Sequence, residues 1–203
     1  LAMTDLHIYA QREGYRDTEW ERDGKAYGWG NNRGLVLMKS FDLIHWTRTN
    51  IRFDQMSKEF AQIGCAWAPE TVYDPATGRM MIYFTMRFGN EQNRLYYVYV
   101  NQDFNRIESI PQILFAYPSG ASAIDGDITP IWNEERQKME YLLFYVAHES
   151  GSGIKQAVSD RIDGSYRFDP RWIDFEPVAC EAPNVWKRIG EDKWVLMYDI
   201  FGI

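Results

Sequence analysis

Short runs of aromatic and β-branched residues recur along this chain, separated by turns rich in Gly, Asp, Asn and Pro. Three of the runs are almost continuously apolar: MIYFTM at 81–86, YLLFYVA at 141–147 and WVLMYD at 194–199. Runs of this length, rich in Tyr, Phe, Val and Ile, read as strands. No segment reads as a long amphipathic helix, so the pattern predicts an all-β fold. Each run follows a signature and a charged turn: CAWAPETVYDPATGRM from 65, AIDGDITPIWNEERQKM from 123 and CEAPNVWKRIGEDKW from 180. A further strand per unit is predicted in RGLVLMKSFDLIHW (33–46), RLYYVYVNQDFNRI (94–107) and GIKQAVSDRIDGSYRF (153–168).

Placing Trp67, Asp125 and Glu181 in one column gives steps of 58 and 56 residues. Four short strands in a unit of under about sixty residues is the pattern of β-propeller blades. An all-β sandwich is the competing architecture, but it does not account for signatures returning at near-constant spacing. LAMTD at 1–5 aligns with IYFTM at 82–86, as the second strand of a blade. About three and a half blades are therefore expected in one domain over 1–203, lacking the first inner strand and the last blade.

Composition adds limits. The chain has 203 residues, a formal net charge of −7 and no Lys/Arg run, which argues against a nucleic-acid partner. No stretch approaches the ~18 apolar residues of a membrane span. Residue 1 opens into LAMTDLHIY without the features of a signal peptide. Cys65 and Cys180 are too few for a disulfide framework, and two buried thiols are expected. Aromatics are 16% of the chain; most are expected to fill strands, and some could offer flat faces to sugar rings.

In a propeller the first strand of each blade lines the central channel, so Trp67, Asp125 and Glu181 are expected to converge there. One aromatic and two carboxyl groups around a funnel suit glycoside hydrolysis. One carboxylic acid protonates the departing oxygen, and another carboxylate activates water or attacks the anomeric carbon. SFDLIHW, CAWAPE, AIDGDI and CEAPNVWK together resemble glycoside hydrolase family 43, the five-bladed arabinanases, arabinofuranosidases and xylosidases.

That resemblance runs over essentially the whole chain. It implies an inverting mechanism on arabinose- or xylose-containing glycans, with an oligosaccharide or polysaccharide as the partner. Glu181, in Glu181-Ala182-Pro183, matches the general acid; Asp125, in Ala123-Ile124-Asp125, matches the Asp that tunes the acid and orients substrate. The family's Pro after that Asp is Gly126 here, which leaves room for Asp127 in the same role. The general base, an Asp of the first blade, falls upstream of Leu1; Asp5 is a weak stand-in because its register is that of a second-strand end. The resemblance also implies a secreted or periplasmic location. It requires no cofactor, although some members carry a calcium ion in the channel.

Other residues rank lower. Trp67, Asp127 and His148 are candidates for binding substrate, with a packed Trp and a structural His as the alternatives. No spacing suggests a zinc site. Glu70 and Asp74-Pro75 read as strand-end and turn residues, and the aromatic loop at 8–33, with Tyr15, Trp20, Tyr27 and Trp29, could wall a pocket. The competing functions are a related propeller glycosidase acting on fructans or galactosides, and a non-catalytic propeller that binds sugar or protein.

Overall fold

The computed structural model describes residues 1–5, 23–28, 30–147, 149, 153–170 and 179–200. These residues form thirteen strands in four antiparallel sheets. Sheet 1 is β1 (Ala2–Thr4), β2 (Gly34–Lys39) and β3 (Thr47–Arg52). Sheet 2 is β4 (Ile63–Asp74), β5 (Arg79–Phe88), β6 (Arg94–Val100) and β7 (Gln112–Phe115). Sheet 3 is β8 (Ile124–Asn133), β9 (Lys138–Val146), β10 (Ile154–Ser159) and β11 (Arg167–Phe168). Sheet 4 pairs β12 (Cys180–Lys187) with β13 (Trp194–Ile200). Among the described residues the one α-helix is a single turn, Gly24–Tyr27.

Each sheet is a meander in which sequence neighbours pair, so local turn chemistry sets the register. Asp74 closes the β4–β5 turn: its Oδ1 accepts from the Ala76 amide at 2.9 Å, and its Oδ2 accepts from Thr77 Oγ1 at 2.8 Å and the Tyr99 hydroxyl at 2.6 Å. Asn133 Oδ1 accepts from the Arg136 amide at the corresponding β8–β9 turn. The SFDLIHW motif is a turn of the same kind, with Asp42 Oδ1 accepting from the amides of Ile44 and His45. These are side chains that compete for backbone donors and so stop strands.

Sheet 2 is buried on both faces, which explains its continuous apolar runs. Met81 and Tyr83 of β5 and Leu95, Tyr97 and Tyr99 of β6 enter a core shared with Ile128, Tyr141, Leu143 and Tyr145 of sheet 3. The alternate residues Ile82, Phe84, Met86, Tyr96 and Val98 enter a second core shared with Leu35, Leu37 and Ile51 of sheet 1. Strand periodicity of two therefore distributes one run between two interfaces.

The second strand of each sheet packs against the first strand of the next: β1 on β4, β5 on β8 and β9 on β12. First strands also touch one another, β4 with β8 and β8 with β12. Each first strand carries a bulge, between Trp67 and Glu70, between Ile124 and Asp127, and between Glu181 and Asn184. These bulges correct the register expected from sequence. Trp67 corresponds to Ile124 and Glu181, Ala68 to Asp125 and Ala182, and Glu70 to Asp127 and Asn184, each step being fifty-seven residues. Asp125 and Glu181 thus stand one position apart in the repeat, and a one-residue slip changes the direction in which a side chain points.

Cys65 and Cys180 are buried free thiols. No helix among the described residues is long and apolar enough to cross a membrane.

Candidate active site

The three bulges create the site. In each, one residue turns into the left-handed region: Ala68 at φ 44°, Asp125 at φ 51° and Ala182 at φ 51°. For an L-residue that conformation costs about 1–2 kcal/mol, and bulges of this kind re-aim neighbouring side chains. A cavity of about 250 Å³ lies where they meet. Its walls are Ala68 and Glu70 of β4, Asp125 and Gly126 of β8, and Ala182, Pro183 and Asn184 of β12.

Asp125 is held at both ends. Its amide donates to Thr85 Oγ1 at 3.0 Å, and its Oδ2 accepts from the Ala182 amide at 3.2 Å. That second bond joins sheet 3 to the residue that directly follows Glu181. Glu181 is half-buried and pairs with Asp199 of β13; it is not part of the cavity wall.

Gly126 stands where Pro69 and Pro183 stand in the neighbouring sheets. A Cβ at Gly126 would lie 2.9 Å from Leu95 Cδ1 and 3.3 Å from Leu143 Cδ1. Core side chains from two sheets therefore exclude any larger residue from this position without repacking.

Asp127 is buried and is absent from the cavity wall. Its Oδ2 accepts from the Val185 amide at 2.7 Å. Loss of hydration pushes its carboxyl up to about 6, against the Val185 hydrogen bond, and the nearby Glu70 charge adds to the rise.

Glu70 faces the cavity in the register of Asp127 and Asn184. It reaches solvent, yet the walls strip part of its hydration and raise its carboxyl pKa. By sequence alone it reads as a strand-end residue. The signal that identifies it is the Ala-Pro pair, at 68–69 and again at 182–183, which requires the fifty-seven-residue register.

Trp67 is not part of the cavity wall. Its Nε1 donates to the Gly30 carbonyl at 2.9 Å, and the Arg87 guanidinium lies 4.7 Å from the ring centroid. Arg87 in turn donates to the Tyr27 carbonyl at 2.9 Å, tying the one-turn helix to sheet 2. Asp5 is buried, and its Oδ2 accepts from Asn50 Nδ2 at 3.0 Å in sheet 1. His148, like Tyr15, Trp20 and Trp29 of the aromatic loop, lies outside the described residues. Among the described residues there is no cluster of three or more His, Cys, Asp or Glu side chains able to hold a metal ion.

A cavity lined by two carboxyl groups, Glu70 and Asp125, on repeated first strands can be compared with known proteins. A family model related to glycoside hydrolase family 43, described as "Probable glycosyl hydrolase domain", matches residues 1–203. The chain belongs to this family. Solved structures similar to this family-43-related chain include "a thermostable family-43 glycoside hydrolase", at 13% identity and a TM-score of 0.52. That match covers 83% of this chain and 62% of the other, so the chain spans less than two thirds of that protein's length. The endo-arabinase from Bacteroides thetaiotaomicron VPI-5482 matches at 12% identity and a TM-score of 0.46, over 90% of this chain and 78% of that one. A mutant of the family-43 protein BlXynB from Bacillus licheniformis matches at 16% identity and a TM-score of 0.32, over 74% and 40%. A search of curated proteins found no match. At 13% identity the first likeness is one of fold, and it agrees with the antiparallel all-β sheets described above for this family-43-related chain.

Proposed function

We propose that the protein hydrolyses arabinose- or xylose-containing glycans with inversion, in a five-bladed propeller of which residues 1–203 supply about three and a half blades. The observation that carries this reading is the hydrogen bond from the Ala182 amide to Asp125 Oδ2. It ties the cavity-lining carboxylate of one sheet to the residue beside the carboxylate of the next. Inverting hydrolysis needs a carboxylic acid held beside the sugar, and this bond fixes the backbone next to Glu181 against the cavity-lining Asp125.

In this reading Glu181 donates a proton to the departing glycosidic oxygen. Asp125 orients Glu181 and hydrogen-bonds the sugar, while Glu70 and Asn184 contact it from the cavity wall. The general base is the first-blade carboxylate that the family resemblance implies, and it holds water on the opposite face of the sugar. Trp67 and His148 are carried as candidates for binding the sugar, and the protein works in a secreted or periplasmic setting on an oligosaccharide or polysaccharide.

The full-length protein with Glu181→Gln tests the assignment. Cleavage of a pentoside with a poor leaving group should fall on the order of 10²–10⁴-fold, the range general acid catalysis supplies. Proton NMR on the wild type should show the first-formed sugar with inverted anomeric configuration. Unchanged turnover in the variant removes Glu181 from the acid role. Net retention removes the single-displacement mechanism. A protein that binds pentose glycans without cleaving any is a binding module, and turnover confined to fructans or galactosides moves the substrate class.

A further inference from the structure

The seams between consecutive sheets are closed by main-chain amides of the first strand, and the acceptors change identity at the seam that carries Glu181. At the seam of sheets 1 and 2, the Ala68 amide donates to Thr4 Oγ1 at 3.1 Å. At the seam of sheets 2 and 3, the Asp125 amide donates to Thr85 Oγ1 at 3.0 Å and the Ile128 amide to the Tyr83 hydroxyl at 2.9 Å. Second-strand hydroxyls thus serve both seams. Thr4 pairs with Leu35, and Thr85 with the corresponding Leu95.

At the seam of sheets 3 and 4 the equivalent amides are those of Ala182 and Val185, fifty-seven residues beyond Asp125 and Ile128. The second-strand positions that held Thr85 and Tyr83 are now Val146 and Phe144. Val146 pairs with Ile124 as Thr85 pairs with Trp67, and Phe144 pairs with Asp127 as Tyr83 pairs with Glu70. Neither Val nor Phe offers a hydroxyl. Both amides turn instead to first-strand carboxylates, Ala182 to Asp125 Oδ2 at 3.2 Å and Val185 to Asp127 Oδ2 at 2.7 Å.

We infer that Asp127 is a positioning residue, whose carboxylate takes the place of the absent seam hydroxyl and seats β12 so that Glu181 meets the glycosidic oxygen. The inference rests on the acid role proposed for Glu181. Asp127 is buried and does not line the cavity, so its action runs through the Val185 amide rather than through contact with sugar. Transferring the anchor from the second strand to the first makes the placement of β12 answer to β8, the strand that also carries Asp125. A carboxylate acceptor holds a backbone donor more strongly than a hydroxyl does, which suits a strand whose placement sets a reacting group.

The test uses the full-length protein with Asp127→Ala, Asp127→Ala combined with Phe144→Tyr, and Asp127→Asn, read in two ways. Hydrogen exchange by mass spectrometry should show faster exchange over 180–187 in Asp127→Ala, with 138–146 unchanged. Phe144→Tyr should slow it again by supplying a hydroxyl where Tyr83 supplies one. Asp127→Asn keeps an acceptor oxygen and should stay near the wild type, which covers the case in which Asp127→Ala does not fold.

The second reading compares a methyl pentoside, which needs a general acid, with a dinitrophenyl pentoside, which does not. Asp127→Ala should lose on the order of 100-fold on the methyl glycoside, as small misplacements of reacting groups do, and little on the activated one. Equal losses on both substrates, or unaltered exchange over 180–187, overturn the inference. If the wild type cleaves neither pentoside, the pentoside-hydrolase reading fails. The exchange contrast still decides whether Asp127 anchors β12.

Discussion

Asp127 pairs two demands that oppose each other. Its carboxylate accepts a short hydrogen bond from Val185, which favours the ionised form, but burial favours the neutral one and prevails. The charged groups that face it are Glu70, whose charge raises it further, and Tyr83, whose own hydroxyl is pushed well up by burial and by Asp127. The folded carboxyl is pushed up to about 6, well above an ordinary aspartate, so the native state binds the proton more tightly than the unfolded chain. The stability this confers is present below about 4 and is lost as pH rises through about 6. That rise corresponds to on the order of 3 kcal/mol. Denaturant titrations of the wild type and Asp127→Asn across this window should therefore diverge, the wild type losing stability relative to the variant as pH rises. Parallel curves would mean that the carboxyl titrates as if it were exposed.

At the scale of the strand, the bulge accounts for both what the sequence disclosed and what it hid. The apolar runs at 81–86 and 141–147 lie within or overlap β5 and β9, and the Asp74 and Asn133 turns were readable because their side chains satisfy backbone donors locally. Repeat length was readable too, since Ala-Pro returns at 68–69 and 182–183. The middle unit was not, because alignment by chemistry put Asp125 with the aromatic Trp67 and the acid Glu181. The structure matches it to two alanines of equal backbone twist. A side chain's chemistry does not report φ, and only φ locates the bulge. Glu70 was lost through the same slip. The bulge also makes a prediction through Gly126, whose missing Cβ leaves room for Leu95 and Leu143. Gly126→Ala should cost about 1–3 kcal/mol by overpacking. Adding Leu95→Val withdraws the crowding methyl, and the double variant should be more stable than the sum of the single effects predicts, by a coupling of about 0.5–3 kcal/mol. Additive denaturant midpoints would show that the Leu95 side chain does not crowd this position.

Across the molecule, sheet 2 makes the fold cooperative. Its residues alternate between the core shared with sheet 1 and the core shared with sheet 3, so the two cores have one wall in common. Phe84 is fully buried in the first core, where its ring stacks on Phe53 with centroids 5.0 Å apart, while its neighbour Tyr83 enters the second core and receives the Ile128 amide. Removing the ring with Phe84→Ala should cost about 3–5 kcal/mol. The loss should not stay on one side. Strand β5 cannot leave the first core without withdrawing Tyr83 and Met81 from the second and breaking the seam that holds Asp125. Hydrogen exchange separates the two sides, because β2 contributes buried side chains to the first core and β9 to the second. With exchange governed by global opening, protection of 34–39 and of 138–146 should fall together in the variant by a similar free energy. If protection falls over 34–39 alone, the two cores open separately, and the carboxylates at the β8 and β12 bulges are insulated from damage to sheet 1.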